Sequence, residues 1–216
     1  FFSVQRKKRP YIILKWAATS NGFIAPTTKE QKSPVWISNL YAQQLVHKWR
    51  SEEHAILVGT NTVLEDNPRL SVRNWGGRSP IRIVLDKRKS IPFTSNVFDK
   101  SIKTIVICDH NAAKQTLSLQ QEKLSENILF ESVDSSKNRA LEICEILQKY
   151  TIQSIIIEGG KQTLQTFIDA DLWDEARVFT ASLSFENGLK APEFSHKKMI
   201  DEQCIKNDNL KIYIND

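Results

Sequence analysis

HAILVGTNTVLEDNPRLSVR, residues 54–73, passes from an apolar run into a hydroxylated and then a charged loop. His54-Ala55-Ile56-Leu57-Val58 reads as a buried strand, and Gly59 breaks it. Thr60 and Thr62 follow as hydroxyl donors, then Asp66, Arg69 and Arg73 on a loop turned by Pro68. A buried strand that delivers small, hydroxylated and charged residues to its carboxyl end is how open α/β sheets build ligand sites. The loop is therefore expected to form a wall between two ligands.

Outward from this stretch the chain alternates strand and helix. Tyr11 to Ala18 is a continuous apolar strand interrupted only by Lys15, as suits a strand covered on both faces. A cation in such a strand needs a partner or a ligand, unless the strand lies at a sheet edge with the ammonium in water. Residues 19–35 form a polar loop around Asn21-Gly22. Ser38 is the expected N-cap of a helix carrying Leu40, Ala42, Leu45, Val46 and Trp49 at helical spacing, closed by Arg50. Strands are expected at 81–86, 104–109, 128–130, 154–157 and 175–182. Residues 110–127 read as helix plus loop, 138–150 as an amphipathic helix, and Gly160 opens another. The tail reads as two short strands around Asn207-Asp208-Asn209. The expected fold class is α/β: a mainly parallel central sheet flanked by helices, with an antiparallel hairpin added last.

With 216 residues the chain can bury a real core. No apolar stretch reaches membrane-spanning length, and no signal peptide is visible. Cys108, Cys144 and Cys204 lie far apart, and neither Cys-x-x-Cys nor His-x-x-x-His occurs, so no metal site is expected and the thiols read as reduced, in a cytoplasmic protein. The net charge of +5 is spread among acids, with its densest run at Arg6-Lys7-Lys8-Arg9, which argues for anionic ligands rather than nucleic acid. Residues 1–9 read as a linker, the two Phe and missing Met suggesting an excised fragment, and 10–216 as one domain.

Two constellations carry chemistry. Glu158-Gly159-Gly160-Lys161-Gln162-Thr163 is a strand-to-helix turn where glycines let a backbone approach a pyrophosphate; it is also readable as a tight turn alone. Glu158 ends an Ile-rich strand, where a carboxylate is costly without a ligand or cation. Thr60 and Asp66 are readable as cap and turn residues, yet Arg50 and Arg73 are suited to a shared phosphate, with Asp66 and Lys15 as acid–base candidates beside a sugar. No nucleophile elbow or Walker loop is present, which leaves a borrowed cofactor acting on a phosphorylated small molecule.

RPYIILKWAATSNGFIA, VWIS, the helix ending at Arg50, ILVGTNTVLEDNPRLSVR, PIRIVLD and IIIEGG, in this order, resemble the reductase domain of riboflavin biosynthesis. That domain is usually the C-terminal half of a bifunctional pyrimidine deaminase/reductase. The resemblance implies a dihydrofolate-reductase-like fold, a homodimer, and NADPH-dependent reduction of the ribose of 5-amino-6-(5-phosphoribosylamino)uracil. By position it implies that Lys15, Asp66 and Glu158 lie near the sugar. Arg50, Leu70 and Arg73, with Ser33 or Pro34, match substrate-binding positions. Ala17, Trp36, Thr62, Asp66, Lys87 and the turn Gly160, Lys161, Gln162, Thr163, Leu164, Gln165 and Thr166 match the cofactor side.

Asn21-Gly22 stands where many members have Asp-Gly, and Asn67 replaces a frequent second Asp. The zinc-deaminase signature is absent from the chain. Two other readings remain: a pterin reductase of the same fold, and a nucleotide-binding module without catalysis. Lys15, Asp66 and Glu158 together speak against the second.

Overall fold

The computed structural model describes residues 2–28, 34–110, 126–134, 136–195 and 197–215. Ser33 and the helix expected within 110–127 lie outside these residues, apart from the latter's ends.

The apolar strands assemble because their side chains are buried on both faces. In β3 (Ala55–Gly59) every residue is buried. β1 (Tyr11–Ala18) pairs in parallel with β7 (Ser154–Ile157) on one side and β8 (Glu175–Ala181) on the other. β3 lies beyond β7, followed by β4 (Ile81–Leu85), β5 (Thr104–Asp109) and β6 (Ile128–Val133), all parallel. β11 (Asp208–Asn215) joins β8 antiparallel, and β10 (Lys197–Ile205) pairs with β11. Among the described residues this gives a nine-stranded sheet of order β10-β11-β8-β1-β7-β3-β4-β5-β6. The mainly parallel sheet with its terminal hairpin agrees with the expected fold class. β1 is an interior strand, so the edge-strand alternative for Lys15 falls.

Each face of the sheet carries its own core. One contains Leu14, Leu57 and Ile157 with α4 (Arg139–Lys149) and α5 (Lys161–Asp169). The other contains Ile13, Ile56 and Val84 with α2 (Leu40–Glu52) and α3 (Thr60–Asp66). Successive strand residues point to opposite faces, so neighbours such as Ile13 and Leu14 are divided between the two cores.

Four expectations need correction. The cap of α2 is Asn39, not Ser38: its Oδ1 accepts the amides of Tyr41 and Ala42, each at 3.0 Å. Asn39 also donates from Nδ2 to the Ile205 carbonyl (2.7 Å), tying α2 to the hairpin. The hairpin strands are long and turn at Lys206-Asn207, one residue earlier than expected. The polar loop at 19–35 contains β2 (Phe23–Pro26), paired with β9 (Gly188–Lys190) in a separate two-stranded sheet. Finally, the segment read as a linker is ordered: Phe2–Lys7 forms α1, and Asp174 accepts Lys7 at 2.6 Å, the Arg9 guanidinium, and the Ile12 amide at 2.8 Å. The acid that draws these groups in is distant in sequence, so the segment alone carries no sign of it.

Candidate active site

The carboxyl ends of β1, β7 and β3 point to one side of the sheet, where open α/β folds place ligands. A cleft of about 870 Å³ opens there, lined by Lys15, Arg50, Asp66, Arg73 and Glu158 together with Leu70. A second groove of about 630 Å³ adjoins it and shares Asn61, Thr62, Gly160 and Leu189 with the cleft. The wall between them is thus the start of α3 facing the glycine turn. Thr62 Oγ1 accepts the Gly160 amide at 3.1 Å and fastens the two together.

Glu158 follows the last residue of β7, and its carboxylate meets a cation from α2. Arg50 donates from Nε to Oε1 (3.0 Å) and from a terminal nitrogen to Oε2 (2.7 Å). Burial alone would raise the Glu158 pKa, but the charges of Arg50 and Lys15 and the Arg50 hydrogen bond hold it at about 2. The Arg50 guanidinium, expected to share a phosphate with Arg73, is engaged on two of its nitrogens by Glu158. The pairing follows from burying both groups, since either alone would be a desolvated charge.

Lys15 completes this cluster from β1. Its ammonium lies 5.9 Å from the centre of the Phe179 ring, at the partly exposed base of the cleft. Burial pulls its pKa below the ordinary value, Glu158 opposes that shift and Arg50 adds to it. A lysine so placed releases a proton more readily than one in water.

His47 was not singled out in the sequence, yet it lines the same cleft one turn before Arg50. Its Nδ1 accepts the Arg73 amide at 3.3 Å and so fastens the 70–73 loop to α2. Burial, with Arg50 and Arg73 adding to it, brings the imidazole down to about 4, so the ring is neutral near pH 7. Its spacing of three from Arg50 on an amphipathic helix was the available signal. Arg73 itself is exposed, and its pKa is lowered by burial of part of the group and by repulsion from Arg50 and Arg69. Leu70 is buried, with φ of 55°.

Pro34, Ala17 and Trp36 also line the cleft, Trp36 being 60% exposed. Lys87, Lys161, Gln162, Thr163, Gln165 and Thr166 line the second groove. Leu164 does not: its side chain is fully buried in the core beneath α5. Helix geometry turns one residue of each turn inward, so Leu164 can face the groove only with its backbone.

The glycine turn has a packing reason. A Cβ on Gly159 would lie 2.8 Å from the Thr163 Cβ, and one on Gly59 would lie 2.5 Å from its Oγ1. Thr163 therefore fills the space between β3 and α5 that two missing side chains leave. Gly159→Ala is expected to lower stability by about 1–3 kcal/mol, as overpacking does, read as a shift of the urea midpoint. Gly160 caps α5 with no side-chain hydrogen bond, and the Thr163 amide donates to its carbonyl at 3.0 Å, so the amides of Lys161 and Gln162 are the ones placed to meet an anionic ligand. These residues fit a dinucleotide phosphate.

The family model described as the RibD C-terminal domain matches residues 10–187. The riboflavin biosynthesis protein RibD of Aquifex aeolicus is 34% identical over 194 residues, covering 88% of this chain and 51% of that protein. The 2,5-diamino-6-ribosylamino-4(3H)-pyrimidinone 5′-phosphate reductase of Archaeoglobus fulgidus is 27% identical over 208 residues, covering 91% of this chain and 90% of its own. A solved deaminase/5-amino-6-(5-phosphoribosylamino)uracil reductase from Thermotoga maritima superposes with a TM-score of 0.82 at 25% identity, over 100% of this chain and 59% of that one. Dihydrofolate reductase from Enterococcus faecalis shares the fold with a TM-score of 0.55 at 15% identity, over 95% of this chain and 96% of its own. The chain spans about half the length of the RibD proteins it matches.

Proposed function

Given that the chain belongs to the RibD C-terminal domain family, we propose that it reduces the ribose of 5-amino-6-(5-phosphoribosylamino)uracil to the ribityl product with NADPH. The observation that carries this reading is the pairing of a cationic cleft with a groove that suits a dinucleotide, divided by Thr62 and Gly160. The groove residues and the start of α5 would hold NADPH, which would supply a hydride to C1′ of the ribose.

The chain's own residues do the rest. As the C1′–O4′ bond breaks, O4′ needs a proton, and Lys15 carries one on an ammonium already biased to release it. Glu158 holds Arg50 and attracts Lys15, so the charged groups face the sugar in a fixed arrangement. Asp66, at the end of α3 in the same cleft, orients the ribose hydroxyls. Arg50 and Arg69 both repel Arg73 across the cleft, and a 5′-phosphate relieves that repulsion. Arg73→Ala is therefore expected to raise the Michaelis constant for the phosphorylated substrate about tenfold or more, with a much smaller change in kcat. An unchanged Michaelis constant would count against the phosphate role.

The test is NADPH oxidation by the purified chain with the ribosylaminouracil phosphate, its undeaminated pyrimidinone counterpart, and dihydrofolate. Turnover with the first supports the proposal, and turnover with dihydrofolate alone supports a pterin reductase. Binding of NADPH with no turnover on any of the three leaves a nucleotide-binding module. The same reading includes a homodimer, a fused deaminase in the whole protein and a cytoplasmic setting. Sedimentation of the purified chain tests the first of these.

A further inference from the structure

The junction between the cleft and the second groove is polar on one side and apolar on the other. Asn61, Thr62 and Gly160 come from the helix starts beside the main sheet, whereas the fourth shared residue, Leu189, comes from β9 in the separate two-stranded ribbon. Its side chain is 46% exposed, although it stands where two cavities meet. Ile24, Ala25 and Pro26 of β2 line the cleft beside it, and Ala25 is its partner in the ribbon. A leucine left half open at this point is apolar surface that ligands filling both cavities would cover.

The ribbon is held in place by the Asn21 turn. Asn21 donates from Nδ2 to the Phe185 carbonyl at 2.6 Å, and its Oδ1 accepts the Thr19 hydroxyl at 2.7 Å. The Lys190 ammonium donates to the Asn21 carbonyl at 3.1 Å, and the Ala191 amide to the Gly22 carbonyl at 2.9 Å. These bonds bracket Leu189, before it at Phe185 and after it at Lys190 and Ala191. An ionised aspartate at position 21 would have no hydrogen to give the Phe185 carbonyl and would set a charge against it. Asparagine supplies that donor, and Ile24 packs β2 against the core beneath.

We propose that Leu189, held by Asn21, is an apolar roof over the junction that screens the reduced nicotinamide ring and the sugar from water. Water kept out of the cleft strengthens the interactions that Lys15 and Glu158 make there. This rests on the reading of the two cavities as substrate and cofactor sites.

Quenching of NADPH fluorescence by acrylamide, a neutral quencher that the cationic cleft neither draws nor repels, tests the roof without catalysis. NADPH bound to the wild-type chain is expected to be quenched far less than free NADPH. In Leu189→Ala the quenching constant rises toward that of the free cofactor, and NADPH affinity falls about 3–10-fold, as expected for half the burial of a leucine. Asn21→Asp moves the quenching in the same direction. Leu141→Ala, at a leucine that is 48% exposed and lines neither cavity, leaves it unchanged. Unchanged quenching in Leu189→Ala overturns the roof, and unchanged quenching in Asn21→Asp overturns the part given to Asn21. Wild-type protein whose bound NADPH is as open to acrylamide as the free cofactor also overturns the roof, and turnover with the ribosylaminouracil phosphate then leaves the reductase reading intact. A shielded cofactor that Leu189→Ala exposes, with no turnover, upholds the roof and sinks the reductase.

Discussion

Lys15→Met is expected to lower kcat about 10²–10⁴-fold, the usual cost of losing a positioned acid–base group. Methionine keeps the length and the apolar stem, so strand β1 and its pairing with β7 and β8 should persist. What disappears is the proton at the base of the cleft. Burial has already lowered the pKa of that ammonium, so the acidic group lost is stronger than an ordinary lysine. Stopped-flow turnover with NADPH reads the effect, and circular dichroism checks the fold. Near-wild-type turnover would remove Lys15 from the mechanism and leave it as a counter-charge for Glu158.

The second large effect concerns stability. Glu158→Gln leaves Arg50 and Lys15 as buried cations without their carboxylate, and breaking a buried pair in this way costs about 3–5 kcal/mol. The pH dependence should differ in a defined direction. The folded protein holds this carboxyl at about 2, below its ordinary 4.5. Its contribution is therefore complete above about pH 4.5 and is lost as the pH falls toward 2. Wild-type stability should decline across that window, and the variant should lack this part of the decline. Urea unfolding at pH 7, 4 and 3 measures both effects. Equal stability of the two proteins at pH 7 would refute the structural weight given to the pair.

Lys15 and Glu158 were legible in the sequence for one physical reason. Each is a charge in an apolar strand, and such charges require a partner. The identity of the partner was not legible. Arg50 reaches Glu158 across 108 positions of chain, and only the insertion of β7 between β1 and β3 brings them together. The same applies to Asp174, which draws in Lys7, Arg9 and the Ile12 amide from the opposite end of the chain. His47 looks like an ordinary helix residue until the 70–73 loop beside it is placed. Leu164 sits in the glycine-turn motif, but helix geometry turns its side chain into the core. The parallel sheet was readable because the strands are uniformly apolar. The β2–β9 pair was not, since both strands are short and only partly buried or exposed.

The strand order also fixes when the site can exist. β3, β4, β5 and β6 are neighbours both in sequence and in the sheet, so they can pair as the chain is made. β1 leaves the ribosome before the other strands of this sheet, but among the described residues its partners in the sheet are β7 and β8, which come much later in the sequence. Until those strands emerge, Lys15 lies on an unpaired apolar segment and Glu158 has not been synthesised. The earliest strand is thus the last to be enclosed, and the charged cluster at its end is a late product of biosynthesis. A nascent chain halted before β7 carries a partial sheet but lacks the carboxylate that Arg50 pairs with.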